Sequence, residues 1–389
     1  MPQTGLATNV SPELGEIDGI SVAVAHWHVP AWGGAENLVT QLATAVGAET
    51  IFTIGEPSPS EENPYGDMEW VDVSTGPAAG LKQWIGRAGE YALWEDVDWR
   101  NHGNPDVLIT SGSTTRAVIT PDDTLHVNYC HSPPRWLYDL YHDRKSTTMG
   151  VFARPLVRYL RMRDSALDPR VDRYLANSPN VARRIEKYYG RDATVLYPPV
   201  EVDAYRQAES DGRFLHLGRL DEEKGVPAIV DAFEELDVPI VFAGGRGDAG
   251  QSVVDRIEGA QNMTYEGFVT QERKLDLLAS CEAVVFNARN EDFGIVPIEA
   301  NASAKPCLAR NEGFPATFIE DGFNGYLHDG TQRGIRDAVG KISTTDFRFD
   351  PSTVVGDFSL ATFRTRVRRY LMTEYKSFQD RFRNRMEMD

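Results

Sequence analysis

The chain has 389 residues, of which 41% are hydrophobic and 25% charged, with a formal net charge of −18. That length supports two or three domains, and the acidic balance leaves no large basic face to neutralise phosphates, which argues against nucleic acid as a partner. Arginines outnumber lysines 32 to 8; an acidic, lysine-poor surface fits a protein working in high salt, where screening weakens self-repulsion, so a halophilic source is expected, with an acidic mesophile protein as the alternative.

The N-terminal stretch MPQTGLATNVSPELGEIDGI has neither a basic n-region nor an apolar core, so no signal peptide is read there. No apolar run approaches a membrane span. The first strand is predicted over 21–27 (SVAVAHW). The glycine pair Gly33–Gly34 then leads into a helix starting at Ala35–Glu36, with Leu38, Leu42 and Val46 at helical spacing. Further strands are predicted over 49–55, 106–112, 125–131 and 172–178. Strands alternating with helical patterns imply parallel βαβ units. Within this half, Glu95–Asp98 (EDVD) is the only DxD string, but its setting does not read as a buried strand ending in a metal loop. His26 and His28 lack further ligands for a metal and read as crevice or packing residues.

The Pro198–Pro199 pair interrupts the rhythm, since neither residue can continue a helix or a central strand; a domain boundary is placed there. The alternation then resumes with strands over 213–220, 239–245, 263–269, 283–289 and 325–330, and helices over roughly 226–236 and 271–280. The expected fold class is α/β, two Rossmann-like domains with parallel sheets facing a crevice. Ligands of such sheets sit outside the carboxyl ends of the strands. Cys130, Cys281 and Cys307 form no CxxC pair, which favours reduced thiols and a cytoplasmic location.

Three stretches carry chemistry. In GRLDEEKG, Arg219 and Lys224 flank the start of a helix, where free N–H groups and the dipole already favour an anion. Two cations there suit a diphosphate without a metal; the alternative is a solvated loop. In HVPAWGGAE, Gly33 and Gly34 let a ligand approach the backbone, or serve only the turn. In NEDFGIVPIE, Glu291 lies in the loop after a buried strand and Glu299 about a turn inside the next helix. A carboxylate there can accept from a vicinal diol such as a ribose, and the amides of Phe293, Gly294, Ile295 and Val296 can hold phosphate or sugar hydroxyls.

Taken in order, GGAE, GRLDEEKG, AGG, EGFV, EDFGIVPIE and DGFNGYLHDG resemble the retaining GT-B glycosyltransferases of family 4 (glycosyl transferases group 1), over roughly 20–370 and most strongly over 213–330. The resemblance implies an N-terminal acceptor domain (1–199), a C-terminal nucleotide-sugar donor domain (200–355) and a C-terminal helix (356–389) that packs back on the first. It implies that Arg219 and Lys224 hold the diphosphate and Glu299 the ribose. Glu291 would lie by the donor sugar and Gly34 over the phosphates. The segment YCHSPPRW is similar to the family's histidine-proline element, which brings His131 to the donor sugar. Two positions depart from the pattern: Lys305 stands where glycine is common, and Ala316 where glutamate is. The expected activity is metal-independent transfer of a hexose from a nucleotide-diphosphate sugar to a glycan or lipid-linked acceptor, with no cofactor. Epimerisation of a sugar nucleotide and non-catalytic binding are the competing readings. The basic, apolar-interleaved stretch 144–164 is either a solvated helix face or a contact with the inner face of the cell membrane.

Overall fold

The structure is a computed structural model that describes residues 14–27, 33–55, 68–74, 87–144, 154–247 and 250–386. The chain forms two compact units. One comprises residues up to Pro198 together with those from Phe363 onward, the other Pro199–Thr362.

The first unit is built on a sheet of strands β1 (Gly15–Ile17), β2 (Ile20–His26), β3 (Thr50–Thr53), β4 (Glu69–Asp72), β5 (Val107–Ser111), β6 (Leu125–Cys130), β7 (Arg173–Ala176) and β8 (Ala193–Val195). Its order is β4-β3-β2-β5-β6-β7-β8, all parallel, with β1 paired antiparallel to the start of β2. Residues of β2 and β5 are buried on both faces, which is why these strands read as unbroken apolar runs. On one face lie Leu38, Leu42 and Val46 of the helix Gly34–Val46, joined by Phe363, Val367, Leu371 and Tyr375 of the long helix Leu360–Met386. Their four-residue spacing keeps that stripe on one side of the helix. On the other face pack Trp94, Trp99 and Tyr91.

The second unit holds β9 (Phe214–Leu217), β10 (Ile240–Ala243), β11 (Met263–Gly267), β12 (Val284–Phe286), β13 (Cys307–Arg310) and β14 (Gly325–His328). They form an all-parallel sheet in the order β11-β10-β9-β12-β13-β14. The chain steps outward from β9 in one direction and resumes at β12 on its other side. The gap between β9 and β12 is thus the point where loops diverge and a ligand can enter.

Several expectations need correction. Residues 193–195, just before the Pro198–Pro199 break and not predicted as a strand, form the edge strand β8. Residues 307–310 and 69–72, not predicted as strands, are β13 and β4. The first helix begins at Gly34 rather than Ala35. Residues 356–358 make a 3-10 turn, and the terminal helix starts at Leu360. Among the described residues no helix is long and apolar enough to cross a membrane. All three cysteines are buried free thiols.

Candidate functional site

The loops leaving β9 and β12 meet at the switch point. The first is drawn tight by glycine. Gly218 and Gly244 both have φ of +145°, and a Cβ on Gly244 would stand 2.0 Å from the Gly218 carbonyl oxygen. Asp221 then organises the turn: its Oδ1 accepts from the Lys224 amide at 2.8 Å, and its backbone carbonyl accepts from the Val226 amide at 3.2 Å. Gly225 has φ of +66°, and a Cβ there would fall 2.4 Å from the Asn287 carbonyl oxygen. Asn287, the first residue after β12, donates from Nδ2 to the Gly225 carbonyl at 2.9 Å, tying the two loops together.

Lys224 and Glu291 are brought into contact across this join, Nζ to Oε2 at 2.7 Å, both about a quarter exposed. An ammonium has three N–H donors, so the pairing leaves others for a ligand. Glu291 is seated by its own backbone: its carbonyl accepts from the Phe314 amide at 3.0 Å. Gly294 (φ +70°) then starts the helix Ile295–Ala302 without a side-chain cap, so the first-turn amides of Ile295 and Val296 keep their donors for other partners. Phe293 differs: its ring is buried and stacks on Phe314 with centroids 5.2 Å apart, so only its backbone faces any ligand.

Two other predicted residues stand apart from that pair. Arg219 is exposed and turns to Asp221 and Glu223, both at 3.3 Å. Glu299 is 4% exposed, and its Oε1 receives Lys274 Nζ at 2.9 Å and the Tyr205 hydroxyl at 2.7 Å. The structure therefore gives Lys224–Glu291 and Lys274–Glu299–Tyr205 as two acid–base groups, on the loop before and on the body of one helix. Burial and the Glu299 carboxylate push the Tyr205 hydroxyl far above its ordinary value, so it stays a donor. Lys274 and Tyr205 were not anticipated: one sits in an ordinary amphipathic helix, the other after the double proline, and neither has a local motif. His216, also unanticipated, is buried beside the loop, donates from Nδ1 to the Val285 carbonyl at 3.1 Å, and is pushed down to about 4 by burial. Lys305 donates to the Ala208 carbonyl at 3.0 Å and is spent away from the loops.

In the first unit the adjacent ends of β2, β5 and β6 gather His26, Ser111 and His131. His131 Nε2 bonds Ser111 Oγ at 2.9 Å, and its ring lies 5.3 Å from Trp27 and 6.3 Å from His26. Burial first, then His26, push it down to about 3, so the imidazole is neutral at pH 7. His26 is fully buried and pairs with Glu36 at 3.3 Å. Gly33 is extended (φ −159°), and a Cβ on Gly34 would meet nothing within 4 Å. Neither glycine is demanded by a left-handed turn, and among the described residues nothing crowds Gly34. Glu95 is held by Arg163 and Arg170, and Asp98 by Arg100. His28 and residues 145–153 lie outside the described residues.

Two units, each built on a parallel sheet of this topology, fit the Rossmann-like GT-B architecture. Residues 32–204 match the family model described as Glycosyltransferase Family 4, and residues 201–344 that described as Glycosyl transferases group 1. The chain belongs to the GT-B glycosyltransferases of the family-4 type. Among curated proteins, O-antigen chain mannosyltransferase C of Escherichia coli is 30% identical over 168 residues, covering 38% of this chain and 44% of that protein. Alpha-1,3/1,6-mannosyltransferase ALG2 of Dictyostelium discoideum is 23% identical over 262 residues, covering 55% and 60%. The chain thus spans less than two thirds of these relatives. Among solved structures, Anabaena Alr3699/HepE in complex with UDP and glucose superposes with a TM-score of 0.67 at 16% identity, covering 90% of this chain and 99% of that one. The lipopolysaccharide outer core galactosyltransferase WaaB gives 0.66 at 15% identity, covering 91% and 99%. These likenesses concern the fold.

Proposed function

We propose that this glycosyltransferase moves a hexose-type sugar from a nucleoside-diphosphate donor to a hydroxyl of a glycan or lipid-linked acceptor, with retention at the anomeric carbon. The observation that carries the reading is the Lys224–Glu291 contact at the mouth of β9 and β12, next to an uncapped helix start. In the transfer, the bond from the anomeric carbon to the diphosphate oxygen breaks and a bond to the acceptor oxygen forms. The acceptor proton passes to a diphosphate oxygen, and nucleoside diphosphate leaves. Lys224, Arg219 after swinging from Asp221 and Glu223, and the amides of Ile295 and Val296 supply preorganised positive potential for the negative charge that develops. Glu291 stabilises the positive charge that develops on the sugar ring. Glu299, already held by Lys274 and Tyr205 through Oε1, presents its other oxygen to a ribose diol. In the first unit the proposal is confined to Gly34, which offers backbone, and to His131, a neutral imidazole that can exchange a hydrogen bond without charge. The complex of the Anabaena neighbour with UDP supports a nucleotide donor here; no divalent ion is required by the residues assigned.

Incubating the protein with a panel of nucleotide sugars tests this. Slow release of nucleoside diphosphate from one donor, faster with acceptor and lost in Lys224→Ala and Glu291→Ala, is expected. Isomerised sugar nucleotide without release would instead support an epimerase, and binding without turnover a non-catalytic role.

A further inference from the structure

A cavity of about 530 Å³ opens on the first unit, lined by Leu137, Tyr138, Tyr141, Arg161, Lys187 and Tyr188, together with Asp139. That is large enough for a small organic ligand, for which pockets run from about 300 to 1,000 Å³. Its Lys187–Tyr188 wall is set back from the strand ends. Asn177, at the start of the helix Pro179–Tyr189, donates to the His131 carbonyl at 2.9 Å. Lys187 and Tyr188 lie in that helix's last turn, and 11 residues at roughly 1.5 Å each place them ~16 Å away along its axis.

The lining has a definite chemistry. Tyr138 and Tyr188 stack with centroids 4.4 Å apart, giving a rigid apolar wall. Arg161 sits over the Tyr141 ring at 4.8 Å and also donates to the Leu137 carbonyl; Lys187 sits over Tyr188 at 5.5 Å. Among the described residues, the contacts of these two cations are ring faces and a backbone carbonyl rather than carboxylates, on a chain of net charge −18. The acid in the lining is matched elsewhere: Asp139 Oδ2 receives Arg135 at 3.0 Å, with Arg184 at 3.9 Å. Its Oδ1 is enclosed by protein and has no hydrogen-bond partner, so this acid presents no free oxygen to the cavity.

Tyrosine rings for the apolar parts of a sugar and two cations, matched by no carboxylate among the described residues, for an anionic substituent converge here. From them we infer that this cavity binds an acidic saccharide, the anionic part of a glycan acceptor held away from the reacting hydroxyl. Only the word acceptor rests on the proposed transferase function; the binding itself does not. A lipid headgroup is disfavoured, because the apolar side chains suited to a membrane, Leu156, Tyr159 and Met162, stand exposed on the helix Arg154–Ala166 rather than in this concave wall.

Calorimetric titration of the full chain with a glucuronate-containing tetrasaccharide and with a neutral glucose tetrasaccharide tests the inference. The acidic probe should bind at least tenfold more tightly. Lys187→Gln and Tyr188→Ala should each weaken it about fivefold or more, while Lys224→Ala should leave it unchanged. Lys187 is exposed, so its variant should fold. Equal affinity for both probes, no binding of the acidic one, or weakening by Lys224→Ala but not by Lys187→Gln would overturn it. So would binding to phosphatidylglycerol vesicles that is sensitive to Lys187→Gln without any saccharide effect. If nucleotide release persists through any of these failures, the donor-site reading stands on its own.

Discussion

Glu299 is nearly buried, and its charge is tolerated only because Lys274 and Tyr205 share one of its oxygens. Removing one partner of a buried pair leaves an uncompensated charge, typically costing several kcal/mol. Lys274→Ala should therefore lower the unfolding free energy by about 3 kcal/mol, measured by urea denaturation, and Lys274→Arg should restore most of it. An unchanged midpoint in the alanine variant would show that Glu299 finds other compensation. The buried imidazoles make a second prediction. His126, His216 and His328 are each pushed down to about 4 by burial, from an ordinary value near 6.5. Between those two values the unfolded chain binds protons that the folded chain refuses. Stability is thus fully present above pH 6.5 and lost as the pH falls towards 4, at up to roughly 1.4 kcal/mol per pH unit for each imidazole. Melting temperatures between pH 7 and pH 4.5 should show this slope, and His216→Gln should flatten it.

At the scale of elements, the candidate site is a product of two loops whose geometry leaves no room for side chains. Gly225→Ala would force a Cβ into the Asn287 carbonyl and a strained positive φ, pushing apart the loops that carry Lys224 and Glu291. It should cost more than about 1 kcal/mol and weaken nucleotide binding as well. Gly340→Ala, in a helix with nothing within 4 Å of the added carbon, should instead stabilise by about 0.5–1 kcal/mol. These elements were legible in the sequence to different degrees. GRLDEEKG announced its turn because glycine and a cation pair flank a helix start, and the segment from Glu291 to Glu299 did so through a glycine and a proline in the first helical turn. Strand β13 was hidden because CLAR is short and follows Lys305–Pro306; it is a strand because β12 and β14 cover both its edges. Strand β8 was hidden by the adjacent double proline.

At the scale of the whole molecule, the alternation of apolar runs and helical patterns revealed two parallel-sheet units. Which acids meet which bases was not legible. Lys224 with Glu291, 67 residues apart, could be paired only because the sheet order places β12 beside β9. The Lys274–Glu299–Tyr205 group depends on three elements whose residues carry no local signal of one another. The family resemblance implies that the C-terminal helix packs back on the first unit, but not which of its side chains, Phe363, Val367 and Leu371, enter that core. What unites the molecule functionally is the claim that the mouth of β9 and β12 is built for a nucleoside diphosphate. Calorimetric titration of the full chain with UDP, GDP and ADP, beside a folded Lys224→Ala variant, tests it most directly. Saturable binding of at least one of the three, weakened tenfold or more in the variant, is predicted; equal affinity in the two proteins, or no binding of any of them, would contradict it.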